Sequence, residues 1–214
     1  FRRVLFRSLS KVTYFFVQNN SSAELLRSIG MNNFFVTGDT RFDRVLQIAS
    51  EAKDIIKAEK FKNGQKVLVA GSTWHEDEAL LIDIVRELKG RLKIIIVPHE
   101  IGHRRIGELE YQLIEKAGLK PDDIALYSHE KENVAAASVL VVDTVGLLSS
   151  LYHYGEMAYV GGGFGKGIHN TLEAVVYGVP VFFGPKYDKF NEAKELVAAG
   201  TAFAVNSSPD LIAK

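Results

Sequence analysis

The 214-residue chain contains no cysteine, which excludes disulfides and thiolate metal sites and fits a reducing compartment. It carries no excess of either charge: 26 Lys and Arg stand against 26 Asp and Glu. No basic run is long enough to line a nucleic-acid groove, so no nucleic-acid partner is expected. No apolar run reaches the roughly 20 residues that a membrane-spanning helix needs. The catalytic signatures are thin as well. There is no G-x-S-x-G elbow, and the spacings G-x-G-x-x-G and G-x-x-x-x-G-K-[ST] do not occur, which disfavours a serine hydrolase, an NAD enzyme or an ATPase. No two carboxylates stand out as an acid/base couple, so part of any active site is expected to lie outside this sequence.

What is present is concentrated between Gly161 and Pro185, GGGFGKGIHNTLEAVVYGVPVFFGP. A strand at Met157 to Val160 runs into Gly161, Gly162, Gly163, Gly165 and Gly167, five glycines within seven residues. Asn170-Thr171 then opens a short helix that stops at Gly178, and an apolar strand follows. A strand, glycine loop and helix start in this order present backbone N–H groups and the helix dipole to an anion, and a phosphate fits best. A nucleotide or nucleotide-sugar is therefore the expected ligand.

The rest of the chain alternates. Strands are expected at Tyr14 to Val17, Phe34 to Thr37, Lys66 to Ala70, Leu92 to Val97, Ile124 to Tyr127, Val139 to Val142, Val179 to Phe183 and Ala202 to Val205. Helices are expected between most of them: one capped by Ser21 or Ser22 and ending at Gly30, one from Asp43 to Lys60, one opened by a Thr73–Glu76 capping box and ending at Gly90, one over 104–117, and one from Lys189 to Ala199. Short, wholly apolar, Val- and Ile-rich strands separated by helices make a doubly wound, Rossmann-like parallel sheet in the α/β class. Ligands of such sheets bind beyond the carboxyl ends of the strands. The turn signal Gly38-Asp39-Thr40 places a boundary between residues 1–40 and a main domain of 41–214. Phe1 to Ser8, FRRVLFRS, has three arginines among aromatics with no period and reads as an artefactual leader. The chain starts at Phe1, and its last helix stops at Lys214 after barely one turn, so a truncated protein is expected.

Several residues carry two readings. Asn170 and Glu173 form a capping box, or Glu173 holds ribose hydroxyls. His169 is a surface histidine or a donor to a phosphate or carboxylate. Ser72 and Thr73 cap a helix, reach a phosphate, or do both. Lys166 within the glycine loop is the best-placed cation, with Lys186, Lys189 and Arg104 as further candidates. Pro98-His99-Glu100, with His75 and His103, invites a metal reading that is set aside; no metal and no cofactor are expected. Asp122-Asp123 beside Pro121 is read as turn chemistry.

Together GDTRFDRV (38–45), GSTWHEDE (71–78), VPHE (97–100), the long block 142–185 and KFNEA (189–193) resemble the C-terminal half of 3-deoxy-D-manno-octulosonic acid (Kdo) transferases, and most closely members of the Bacteroidetes type. The resemblance implies the donor-binding domain of a two-domain GT-B glycosyltransferase, with residues up to about 40 as a remnant of the N-terminal domain. It implies metal-independent, inverting transfer of Kdo from CMP-Kdo to a lipid A precursor at the cytoplasmic face of the bacterial inner membrane. The missing domain would supply the catalytic Glu, the acceptor site and the peripheral membrane contact. The donor residues it implies are Ser72, Thr73, Pro98, His99, Asp143, Thr144, Gly146, Gly161, Gly162, Gly163, His169, Asn170, Glu173 and Asn191, with Phe164, Gly165 and Lys166 in the donor loop. The family's arginine between Pro98 and His99 is absent, and Leu147 stands where a Glu is common. The rival readings are a GT-B transferase using a UDP-sugar and a nucleotide-sugar-binding module without catalysis.

Overall fold

The computed structural model describes residues 7–130 and 133–214. The reading of Phe1 to Ser8 as a leader falls mostly on residues 1–6, outside the described residues. The chain forms two compact units, Phe1–Gln47 and Ile48–Lys214.

In the first unit β1 (Phe15–Val17) and β2 (Phe34–Val36) pair in parallel, Phe15 beside Phe34. The helix between them, α1 (Asn20–Ser28), is capped by Asn19 rather than by Ser21 or Ser22. Asn19 has the extended backbone a cap requires, and its side-chain oxygen accepts from the Ser22 N–H at 2.9 Å; the serines already lie within the helix. Two strands of three residues cannot bury their aromatics: Phe16 and Phe35 stack at 5.9 Å yet stay 71% and 52% exposed.

Helix α2 (Thr40–Ser50) carries the division between the units, and α3 (Ile56–Lys62) follows. The single helix expected from Asp43 to Lys60 is thus broken. Between the two pieces the Lys53 N–H donates to Ser150 Oγ and the Ile55 N–H to Tyr154 Oη, so tertiary partners replace the helical ladder.

The second unit is built on seven parallel strands in the order β5-β6-β4-β3-β7-β8-β9. They are β3 (Val67–Thr73), β4 (Lys93–Pro98), β5 (Ile124–Leu126), β6 (Val139–Val141), β7 (Met157–Val160), β8 (Val181–Phe183) and β9 (Ala202–Ala204). The helices are α4 (His75–Glu87), α5 (His103–Ala117), α6 (Leu148–Leu151), α7 (Leu172–Val175), α8 (Asn191–Ala198) and α9 (Ser208–Ala213). Side chains alternate across the sheet. Val67, Val69, Ile95 and Leu140 pack one core with Phe61 of α3 and Tyr152, while Leu68, Ala70, Ile94, Ile96 and Tyr159 pack the other with Leu81 of α4 and Leu109 of α5. Both faces are dry, which is why the strands read as unbroken apolar runs. Among the described residues no helix is long and apolar enough to cross a membrane.

Ile95 is fully buried in the middle of the sheet. Replacing it with Ala is expected to cost about 2–5 kcal/mol, read as a lower urea midpoint with an unchanged slope. A loss below about 1 kcal/mol would contradict the packing described here.

Candidate functional site

The order of strands places β4 on one side of β3 and β7 on the other. The chain leaving β3 and the chain leaving β7 therefore diverge, opening a crevice at the carboxyl edge where such sheets bind ligands. Three segments meet there: residues 72–74 at the end of β3, His99 after β4, and the glycine loop 161–169 after β7.

Close backbone contact joins the first and third. A Cβ on Gly161 would lie 2.2 Å from the Ser72 carbonyl oxygen. Ser72 itself has φ +53°, a left-handed conformation unusual for a side-chain-bearing residue, at an irregularity in the β3–β4 pairing. A carboxylate completes the join. Asp77, 1% exposed, accepts from the Trp74 N–H at 2.9 Å, the Gly162 N–H at 2.8 Å and the Tyr159 hydroxyl at 2.8 Å. Burial raises its pKa, and these three donors act against the rise.

Above this join lie three rings. Trp74 and His99 stack at 4.4 Å, His99 and His169 at 4.7 Å, and the Trp74 indole N–H donates to Nε2 of His169 at 3.0 Å. That bond requires a lone pair on Nε2, so His169 is neutral with its proton on Nδ1. Burial, and then the neighbouring His99, hold its pKa below the ordinary value, against an opposing pull from Asp77.

The loop's own hydrogen bonds sort its amides. Gly165 and Gly167 N–H both donate to the Gly162 carbonyl, at 3.0 and 3.1 Å, and Gly162 N–H serves Asp77. Gly163, Phe164 and Lys166 donate to no group among the described residues. Gly165, expected to face a phosphate, is thus turned inward. Gly163 approaches another strand end so closely that a Cβ there would lie 2.5 Å from the Gly184 nitrogen. The helix after the loop, α7, is a single turn, and Thr171 rather than Asn170 is its cap residue. So short a helix sums few peptide dipoles, and the loop amides carry most of the attraction for an anion. Asn170 still assists, accepting from Leu172 N–H at 3.2 Å and donating to Glu173 Oε1 at 2.9 Å.

Other expected residues are committed elsewhere. Thr73 does not open α4. It ends β3, is buried, and its hydroxyl donates to Glu78, whose other oxygen pairs with buried Arg105. The expected Thr73–Glu76 box is replaced by a single bond one residue further along, from the Trp74 N–H to the Asp77 carboxylate. Asp143 accepts from Ser128 through both its backbone N–H, at 2.9 Å, and its hydroxyl. Pro98 is buried at the end of β4, Leu147 packs on the core, Gly146 has φ +82°, and Asn191 starts α8 with an exposed side chain. Thr144 is half-buried in the loop after β6. Arg104 is paired with Glu108 at 2.9 Å, on the rim of a cleft of about 470 Å³ lined by His75, Glu100 and Arg105. His99-Glu100-Ile101-Gly102-His103 spells H-E-x-x-H, a pattern the sequence reading passed over. It matters only on a helix, where both histidines share a face. Here α5 begins at His103, so they do not, and no group of three or more candidate ligands that could hold a metal occurs among the described residues.

This is the fold of a GT-B C-terminal domain, with the glycine loop at its switch point. The C-terminal CMP-Kdo binding domain of WaaA from Acinetobacter baumannii superposes with a TM-score of 0.61 over 80% of this chain and 85% of that one, at 20% identity. No family model matches the chain. Among curated proteins, 3-deoxy-D-manno-octulosonic acid transferase of Aquifex aeolicus is 30% identical over 203 residues, 92% of this chain and 51% of that protein. The transferase of the same name from Chlamydophila psittaci is 34% identical over 146 residues, 67% of this chain and 32% of that protein. The chain is similar to the C-terminal domain of Kdo transferases and spans about half the length of the Aquifex relative.

Asp77→Ala would leave three donors without their acceptor and is expected to destabilise the chain by about 3 kcal/mol or more. Asp77→Asn, which still offers one acceptor oxygen, should cost clearly less; equal losses in chemical unfolding would remove Asp77 from its joining role. In an NMR titration, His169 should lose its proton at a midpoint below about 6.5, and Trp74→Phe should move that midpoint up. Because the fold favours the neutral ring, the unfolded chain takes the proton first as pH falls. The stability tied to His169 is complete above the unfolded-state value and is lost as pH drops below it. A midpoint at or above the ordinary value contradicts the assignment.

Proposed function

We propose that this chain supplies the CMP-Kdo site of a glycosyltransferase that moves Kdo to a lipid A precursor. The observation that carries the reading is the meeting of the glycine loop with residues 72–74 and His99 at the β3/β7 switch point, within a chain similar to Kdo transferases. The phosphate rests on the amides of Gly163, Phe164 and Lys166, with the exposed Lys166 ammonium beside them. Glu173 takes ribose hydroxyls, and the cytidine lies against the segment Asp143 to Leu147. Neutral His169, with its proton on Nδ1, donates to the donor sugar or its phosphate.

Departure of CMP leaves negative charge on its phosphate, and preorganised N–H groups stabilise that charge without reorganising. The remainder of the longer protein brings the base that deprotonates the acceptor hydroxyl, together with the acceptor site and the contact with the cytoplasmic face of the inner membrane. Closure over the donor would exclude water and limit its hydrolysis.

Calorimetric titration of the chain with CMP, UMP and ADP tests the reading. CMP should bind tightest, and Glu173→Ala should weaken it by roughly tenfold or more. Preferential binding of UMP would point to a transferase using a uridine donor. An unchanged affinity in Glu173→Ala would remove that residue from the ribose.

A further inference from the structure

Lys186 lies on the segment between β8 and α8, outside the glycine loop, yet it contacts three successive peptides of that loop. Its backbone N–H donates to the Gly163 carbonyl at 2.9 Å. Its ammonium donates to the Phe164 carbonyl at 2.9 Å and to the Gly165 carbonyl at 3.0 Å. In a trans peptide the C=O and N–H point in opposite directions. Drawing the Gly163 and Gly165 oxygens towards Lys186 therefore turns the Phe164 and Lys166 N–H groups away from it. Those are two of the amides that the loop does not use internally. The Phe164 oxygen belongs to the intervening peptide, whose Gly165 N–H closes the loop on Gly162.

The same segment shapes the loop by contact. Gly184 abuts Gly163 backbone to backbone, and the Phe190 ring covers Gly167, where a Cβ would lie 2.8 Å from it. Between these contacts, Lys186 is the side chain that grips the loop's oxygens. A lysine free to meet a phosphate directly would leave its ammonium in solvent; this one is engaged on two carbonyls.

We infer that Lys186 is a positioning residue, which holds the glycine loop with the Phe164 and Lys166 amides facing the donor's phosphate. The inference rests on the donor reading above and adds to it the device that orders the phosphate cradle. The residue acts through the loop rather than as a counter-ion to the ligand.

The test compares the full chain with Lys186→Met, Lys186→Arg and, as a control for lost surface charge, Lys194→Met. In the nucleotide-free proteins, amide hydrogen exchange is followed at Gly165 and Gly167, whose N–H groups report the closed loop, and at Ile95 in the sheet. Affinities are measured for CMP and for cytidine, which lacks the phosphate. Lys186→Met should speed exchange at Gly165 and Gly167 but not at Ile95. It should also weaken CMP by roughly tenfold and leave cytidine unchanged. Lys186→Arg, able to reach both carbonyls, should restore most of each effect, and Lys194→Met should produce neither. Weaker CMP binding with unchanged loop exchange would mean a direct contact with the phosphate and would overturn the inference. So would faster exchange with undiminished CMP affinity. If the unaltered chain binds no CMP, the donor reading itself fails and this inference falls with it, an outcome distinct from both of those.

Discussion

One buried carboxylate holds the site together. Asp77 takes the Trp74 N–H from the turn after β3, the Gly162 N–H from the loop after β7 and the Tyr159 hydroxyl from within β7. Burying a carboxylate is costly, and only a full set of donors offsets the loss of water. The two turns are therefore not independent. Trp74 stands where it does because its backbone is tied down, burial and His99 keep His169 neutral while the Trp74 indole N–H takes its free lone pair, and the glycine loop starts in register because the Gly162 N–H is held by Asp77. A local N-terminal helix bond has become a long-range clamp.

Around this clamp most conspicuous polar groups are partners of one another. Thr73 serves Glu78 and Glu78 serves Arg105; Asp143 serves Ser128; Arg104 serves Glu108. What is left to meet a ligand is mostly backbone N–H and aromatic or imidazole edge. Such a surface suits an anionic ester that must be held and then released as a better-stabilised anion. Its donors are fixed by the fold and need not be drawn from solvent when charge develops.

The α/β class and the placing of the motifs at strand ends were legible because period and composition are local properties. Strands buried on both faces read as apolar runs, and the glycines mark the loop directly. Part of what failed was decided by distant partners. The break between α2 and α3 depends on Ser150 and Tyr154, about a hundred residues away in sequence, and nothing between Asp43 and Lys60 announces it. Asp77 was overlooked beside Glu76 although it sits three residues after the only tryptophan, the spacing of a first-turn cap. Lys186 read as a free cation, because a sequence does not reveal that a side chain is already occupied.

Gly163 and Gly184 touch backbone to backbone, each excluding a side chain on the other. One belongs to the loop beneath a proposed phosphate, the other to a turn with no assigned ligand. Selection against any larger residue would act on both with equal force. Invariance across relatives would therefore be a poor guide to ligand contact at this edge of the sheet. It would mark the seam where two strand ends are pressed together, and the groups that do the chemistry, being main-chain amides, would leave little trace in the alphabet at all.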